Sequence, residues 1–127
     1  LMAFGRLPRL TASTFRESWR VWGELSGADL PPASVEREFQ HNNSMLEAAA
    51  SGMGVAVVPW AVVAPDIAGG RLVAPFGFAP RTSKFVFLRP AGRKDAAVDA
   101  FRDWLVAEGA ASPPPIPSTD PGVGTRR

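Results

Sequence analysis

Residues 39–76 read FQHNNSMLEAAASGMGVAVVPWAVVAPDIAGGRLVAPF, and the order of residue types in this stretch decides the fold. A polar turn leads into an alanine-rich run, which is broken by Gly52 and Gly54. A β-branched run follows and is stopped by Pro59. The pattern is that of strand, turn, helix, glycine break, strand and short helix. Ser44 and Glu47 have the S-x-x-E spacing of a capping box, which predicts a helix opened by Ser44. Leu46, Ala49, Ala50 and Met53 would line its apolar face. Gly52 and Gly54 end that helix and allow a tight reversal. Residues 55–58 then predict a strand buried on both faces, as in a parallel sheet covered by helices. Residues 60–67 predict a short helix interrupted by Pro65, after which Gly69 and Gly70 turn the chain into a strand over residues 71–74.

Working outward, residues 7–10 predict a short strand and residues 11–26 an amphipathic helix. Phe15, Trp19, Trp22 and Leu25 recur at helical spacing there, and Gly27 is placed to stop the helix. Residues 29–34, with Pro31 and Pro32, form a loop. Residues 35–40 alternate as a strand with a wet face, on which Glu36, Arg37 and Glu38 make a solvated charge run. Residues 84–88, KFVFL, predict another strand. Residues 95–108 predict a helix with Val98, Phe101, Trp104 and Leu105 as its apolar stripe and Asp95 near its first turn. Strands alternating with helices define an α/β class with a largely parallel sheet. Residues 1–6 read as a loop remnant. Residues 109–127 read as a disordered, Pro-rich tail, since from Ser112 onward there are five prolines, two glycines and little to bury.

Composition narrows the function. Hydrophobic residues make up 46% of the 127 and charged residues 20%, which is ordinary for a globular domain. The net charge is only +2, and no basic run is interleaved with aromatics, so this segment does not read as a nucleic-acid surface. There are no cysteines, which removes disulfides, thiolate metal sites and a cysteine nucleophile. His41 is the sole histidine, which excludes a multi-histidine metal centre. No apolar run reaches the roughly 20 residues that span a bilayer, and the start has no secretion-signal pattern. The expectation is a soluble, cytoplasmic protein with no cofactor and no membrane partner.

In open α/β sheets ligands gather beyond the carboxyl ends of the strands, where helices begin. Gln40, His41, Asn42, Asn43 and Ser44 fall at such a point and offer amides, an imidazole, a hydroxyl and the positive end of a helix. Val58 and Pro59 end the neighbouring strand on the same rim. These seven residues are the candidate ligand site, and an anion such as a carboxylate suits it. Enzyme chemistry finds little support. Ser51 between alanine and glycine sits at a helix end rather than on a strand-to-helix elbow. His41 has no obvious carboxylate partner. Gly52-Met53-Gly54 lacks the third glycine of a dinucleotide site.

Several segments together resemble one family. They are Trp19-Arg20-Val21-Trp22, Ala48-Ala49-Ala50-Ser51-Gly52-Met53-Gly54-Val55-Ala56-Val57-Val58-Pro59, Gly70-Arg71-Leu72-Val73-Ala74-Pro75-Phe76, Phe85-Val86-Phe87-Leu88-Arg89-Pro90 and Ala100-Phe101-Arg102-Asp103-Trp104-Leu105. In this order they resemble the effector-binding domain of LysR-type transcriptional regulators over residues 7–108. The tryptophan pair and the G-R-L-V-x-P-F segment are most similar to the regulators of glycine cleavage and β-lactamase expression. The resemblance implies a fold like type II periplasmic binding proteins, with a small effector between two lobes. This chain would then supply mainly the second lobe, with the closing strand and helix of the first. It implies DNA contact only through an N-terminal helix-turn-helix outside this chain, and a homo-oligomer in the full-length protein. Residues 11–26 and 35–40 match elements that meet another subunit. Two other readings are a fragment of a solute-binding protein and a truncated interaction module without a ligand.

Overall fold

The computed structural model describes residues 7–81, 85–92 and 95–115. They divide into two compact units, one of residues 7–80 with Pro115 and the other Arg81–Pro114. The expected strand residue Lys84, the loop of residues 1–6 and the tail beyond Pro115 lie outside the described residues.

The first unit is built on a three-stranded sheet, β1 (Arg9–Ala12), β2 (Glu36–Phe39) and β3 (Val55–Ala56), in the order β2-β1-β3. Both pairings are parallel, with Leu10 opposite Arg37 on one side and Ala56 on the other. Parallel neighbours need crossovers, supplied by helices α1 (Ser18–Ser26) and α2 (Asn42–Ala50). The chain moves outward from β1 to β2, then back across β1 to β3. Right-handed crossovers in opposite directions place α1 and α2 on opposite faces of the sheet.

Side chains alternate across β1 and give each helix its own surface. Leu10 and Ala12 are buried with Met45 and Ala48 of α2, and Phe39, Ala49, Ala56 and Val58 pack around them. On the α1 side, Trp19 donates its indole N–H to the Leu10 carbonyl at 3.1 Å. The Arg9 guanidinium lies 5.1 Å from the Trp19 ring centroid and donates to the Pro31 carbonyl, so this buried charge has both a π face and an acceptor. Trp19 meets Trp22 edge-on at 6.4 Å, and Trp22 meets Phe76 at 6.0 Å.

Gly27, Gly52 and Gly70 all have φ near +70 to +80°. After α2, Gly52 N–H reaches Ala49 O at 2.9 Å and Met53 N–H reaches Ala48 O at 3.0 Å. After α3 (Trp60–Ala68), Gly70 N–H reaches Ile67 O at 3.0 Å and Arg71 N–H reaches Asp66 O at 2.8 Å. Both are Schellman endings, which use left-handed glycine to satisfy the last carbonyls. Pro65 sits inside α3 rather than ending it.

Several expectations are corrected. The first strand is Arg9–Ala12, because Thr11 and Ala12 pair with Glu38 and Phe39. The helix expected from residue 11 begins at Ser18, after a single 3-10 turn at Ser13–Phe15. Ser44 does not cap α2: the N-cap is His41, with no side-chain cap bond. Glu47 is instead paired with Arg71 at 2.7 Å. Met45, Leu46 and Ala48 are the buried residues of α2, whereas Met53 is 42% exposed. The strand expected over residues 55–58 is only Val55–Ala56 and is half-buried. Residues 71–74 and 85–88 are not strands. A strand exists through its ladder, and no ladder partner for either segment is found among the described residues.

In the second unit, α4 (Ala96–Ala111) is capped by the Asp95 carboxylate, which accepts from Ala97 N–H at 3.0 Å. Its stripe does not form a buried core. Phe101 and Trp104 are about half exposed and stack on each other at 5.7 Å, with Phe87 against Phe101 at 6.0 Å. Arg89 and Arg102 share Asp99 at 2.8 and 3.1 Å.

Candidate functional site

The three parallel strands end on one rim. β1 runs out into Ser13, β2 into Gln40, and β3 into Val57, Val58 and Pro59. Because β1 connects toward β2 while β3 lies on its other side, the space above β1 and β3 is a topological switch point, where α/β sheets open a crevice. The outer strands β2 and β3 are about 10 Å apart, two strand spacings.

Two helices start on this rim, and neither has a side-chain cap. α2 follows His41, whose backbone is extended at φ −133°, ψ 151°. α3 follows Pro59, also extended, at φ −64°, ψ 145°. In α2 the first backbone bond runs from Met45 N–H to His41 O at 3.2 Å, so the N–H groups before it point outward without a side-chain cap, whereas in α3 the Val62 N–H already bonds Pro59 O at 3.0 Å. Each positive helix end favours an anion by roughly 0.3–1 kcal/mol. His41, Asn43 and Ser44 are exposed around the start of α2, and Asn42 is half-buried. Gln40 is exposed, and its carbonyl accepts from the Ser13 hydroxyl at 3.1 Å.

The structure thus brings Gln40, His41, Asn42, Asn43 and Ser44 to the same rim as Val58 and Pro59. It divides their roles. The Val58 side chain packs against the core, so its backbone alone is available at the rim, whereas Pro59 is exposed. Ser13 and Thr14 were missed by the sequence reading, which placed them inside a helix. Their signal was a Ser-Thr pair directly after an apolar residue at the end of the central strand. The nearest strand carboxylate, Glu38, is paired with Arg16 at 2.7 Å, so residues 40–44 and 57–59 carry no negative side chain. Ser51, set aside above as a nucleophile, donates its hydroxyl to Glu47 O at 2.8 Å and finishes α2.

A separate hollow of about 370 Å³ lies on the α1 face of β2 and is lined by Thr11, Arg16, Trp19, Glu36 and Glu38. It shares no residue with the rim. Its walls are an edge strand and an ion pair, and it lacks the convergent helix ends that make the rim suited to a ligand. Among the described residues, no group of three or more His, Asp or Glu is arranged to hold a metal ion. No helix among them is long and apolar enough to cross a membrane.

Known proteins with related sequences identify the family. Residues 3–110 match the LysR substrate binding domain. The chain is 32% identical over 98 residues to the HTH-type transcriptional regulator TrpI of Pseudomonas aeruginosa, covering 77% of this chain and 33% of TrpI. It is 32% identical over 93 residues to the HTH-type transcriptional activator AmpR of Rhodobacter capsulatus, covering 72% and 32%. Among solved structures, the effector domain of AmpR of Pseudomonas aeruginosa superposes with a TM-score of 0.59 at 25% identity, covering 83% of this chain and 52% of that one. The chain therefore spans about a third of the curated relatives' length. These relatives are transcriptional regulators, not enzymes, and their effector domains share the expected α/β fold with a parallel sheet. A match over most of the chain, to a domain built on the parallel sheet described above, makes this chain a member of the LysR substrate-binding domain family.

Proposed function

We propose that this chain is the effector-sensing part of a LysR-type transcriptional regulator, and that it holds a small anionic metabolite at the carboxyl rim of its sheet. The observation behind this reading is the pair of uncapped helix starts, α2 and α3, on one rim with an amide-rich turn and no acidic side chain. A carboxylate there would accept from the first N–H groups of α2, with Asn42 and Asn43 as further donors and His41 and Ser44 flanking them. Gln40, Val58 and Pro59 shape the walls. The relatives' names as transcriptional regulators support the larger role.

The effector would act by shifting a population. A ligand that binds one arrangement of the regulator better than another moves the equilibrium by that difference in affinity and by nothing else. DNA is contacted through a helix-turn-helix elsewhere in the full-length regulator, which works as a homo-oligomer in the cytoplasm.

The test begins with a thermal-shift screen of small carboxylates and phosphates on the full-length protein. His41→Ala and Asn43→Asp are then compared with the parent by calorimetry on the best hit. Asn43→Asp is informative because a carboxylate at a helix start favours the helix yet repels an anion. Like charges 4 Å apart cost about 1–4 kcal/mol between water and a partly screened site, so binding should fall at least about fivefold while operator binding persists. Unchanged affinity in both variants would defeat the proposal.

A further inference from the structure

Glu47 and Arg71 are left over from the expected capping box and from the G-R-L-V segment, and the structure joins them. Arg71 Nη2 lies 2.7 Å from Glu47 Oε1 on α2, and Arg71 Nη1 lies 3.3 Å from Asp66 Oδ1 on α3. Its backbone N–H also bonds Asp66 O at 2.8 Å as part of the Schellman ending, so left-handed Gly70 aims Arg71 back toward α2. One guanidinium therefore spans the far halves of two helices, and both helices begin at the candidate ligand rim. We propose that Arg71 is a positioning residue, which sets the spacing between the α2 and α3 arms of the site by clamping the helices at their opposite ends.

Three observations favour a clamp over an incidental surface pair. The guanidinium fork engages carboxylates on both helices, a geometry that a lysine ammonium on its flexible stem does not reproduce. Asp66 is only 19% exposed, so one half of the bridge is shielded from solvent. The Glu47 hydrogen bond, then the charges of Glu47 and Asp66, raise the Arg71 pKa above the ordinary arginine value, so the guanidinium keeps its charge across the neutral range. The inference rests on the rim being the site, but its test does not depend on a ligand.

Spin labels at Asn43→Cys and Ala61→Cys, both exposed positions, report the separation of the two arms in full-length protein otherwise free of reactive thiols. The parent should give one narrow distance distribution. Arg71→Met and Glu47→Gln should each raise the population at other separations, roughly two- to fivefold for an exposed ion pair. The double variant should show no further rise, because both changes break the same link. A parent-like distribution in Arg71→Met, or an additive rise in the double variant, would overturn the clamp. Failure of His41→Ala to alter binding would instead count against the site and leave the measured spacing intact.

Discussion

Replacing Gly54 by alanine should separate the β3 edge from the sheet. A Cβ at this position would lie 2.3 Å from the Pro8 carbonyl oxygen, and 3.0 and 3.1 Å from Cδ2 and Cγ of Leu10. The Leu10 side chain is fully buried and has little room to retreat. The Pro8 oxygen is backbone and already accepts from Val55 N–H at 3.0 Å. Relief therefore requires β3 to move away from β1, which gives up that hydrogen bond. Overpacking of this kind costs about 1–3 kcal/mol, and the lost bond adds about 0.5–1.5 kcal/mol. Together they come to roughly 2–4 kcal/mol, a large share of an ordinary domain's stability. Thermal denaturation followed by tryptophan fluorescence would show it as a fall in Tm of at least about 8 °C, taking ~4 °C per kcal/mol. A melting temperature equal to the parent's would refute the close approach of β3 to β1, and with it the geometry of the rim.

Other substitutions probe the corrected elements. Ser44→Ala should change stability by less than about 0.5 kcal/mol, as expected away from a cap, while Asp95→Ala should cost about 1 kcal/mol as a true N-cap; urea denaturation distinguishes the two. Trp104→Ala, at a ring about half exposed, should cost about 2 kcal/mol, below the 3–5 kcal/mol of a buried aromatic, as read from the denaturation midpoint. Gly109→Ala places a methyl where nothing lies within 4 Å in the last turn of α4, and it should stabilise that helix by about 0.5 kcal/mol, the low end of the mid-helix value, seen as a rise in helical circular dichroism near the melting transition.

Much of this molecule was legible residue by residue. Gly27 and Gly52 stop helices as expected because left-handed backbone is a local demand. A helix was expected over residues 95–108 from its periodicity, and α4 runs on to Ala111, into what was expected to be tail; the parallel sheet followed from the alternation of strand and helix. The polar turn over residues 40–44 was expected between a strand and a helix, and it lies where β2 ends and α2 begins. The missed parts share a cause. Thr11 and Ala12 joined a strand only because β2 offered them a ladder, which uncovered Ser13 and Thr14 at the rim. Glu47 abandoned the capping box for Arg71, a residue far along the chain that no local pattern links to it.

Sequence alone determined the glycines that end helices and the fold class, since each depends on backbone preference or short-range periodicity. Tertiary structure decided where each strand ends, which residue precedes α2, whether Trp104 is buried, and how α2 and α3 are tied at their far ends. Those features depend on partners distant in sequence, and hydrogen-bond ladders, ion pairs and burial are properties of the pair rather than of either residue.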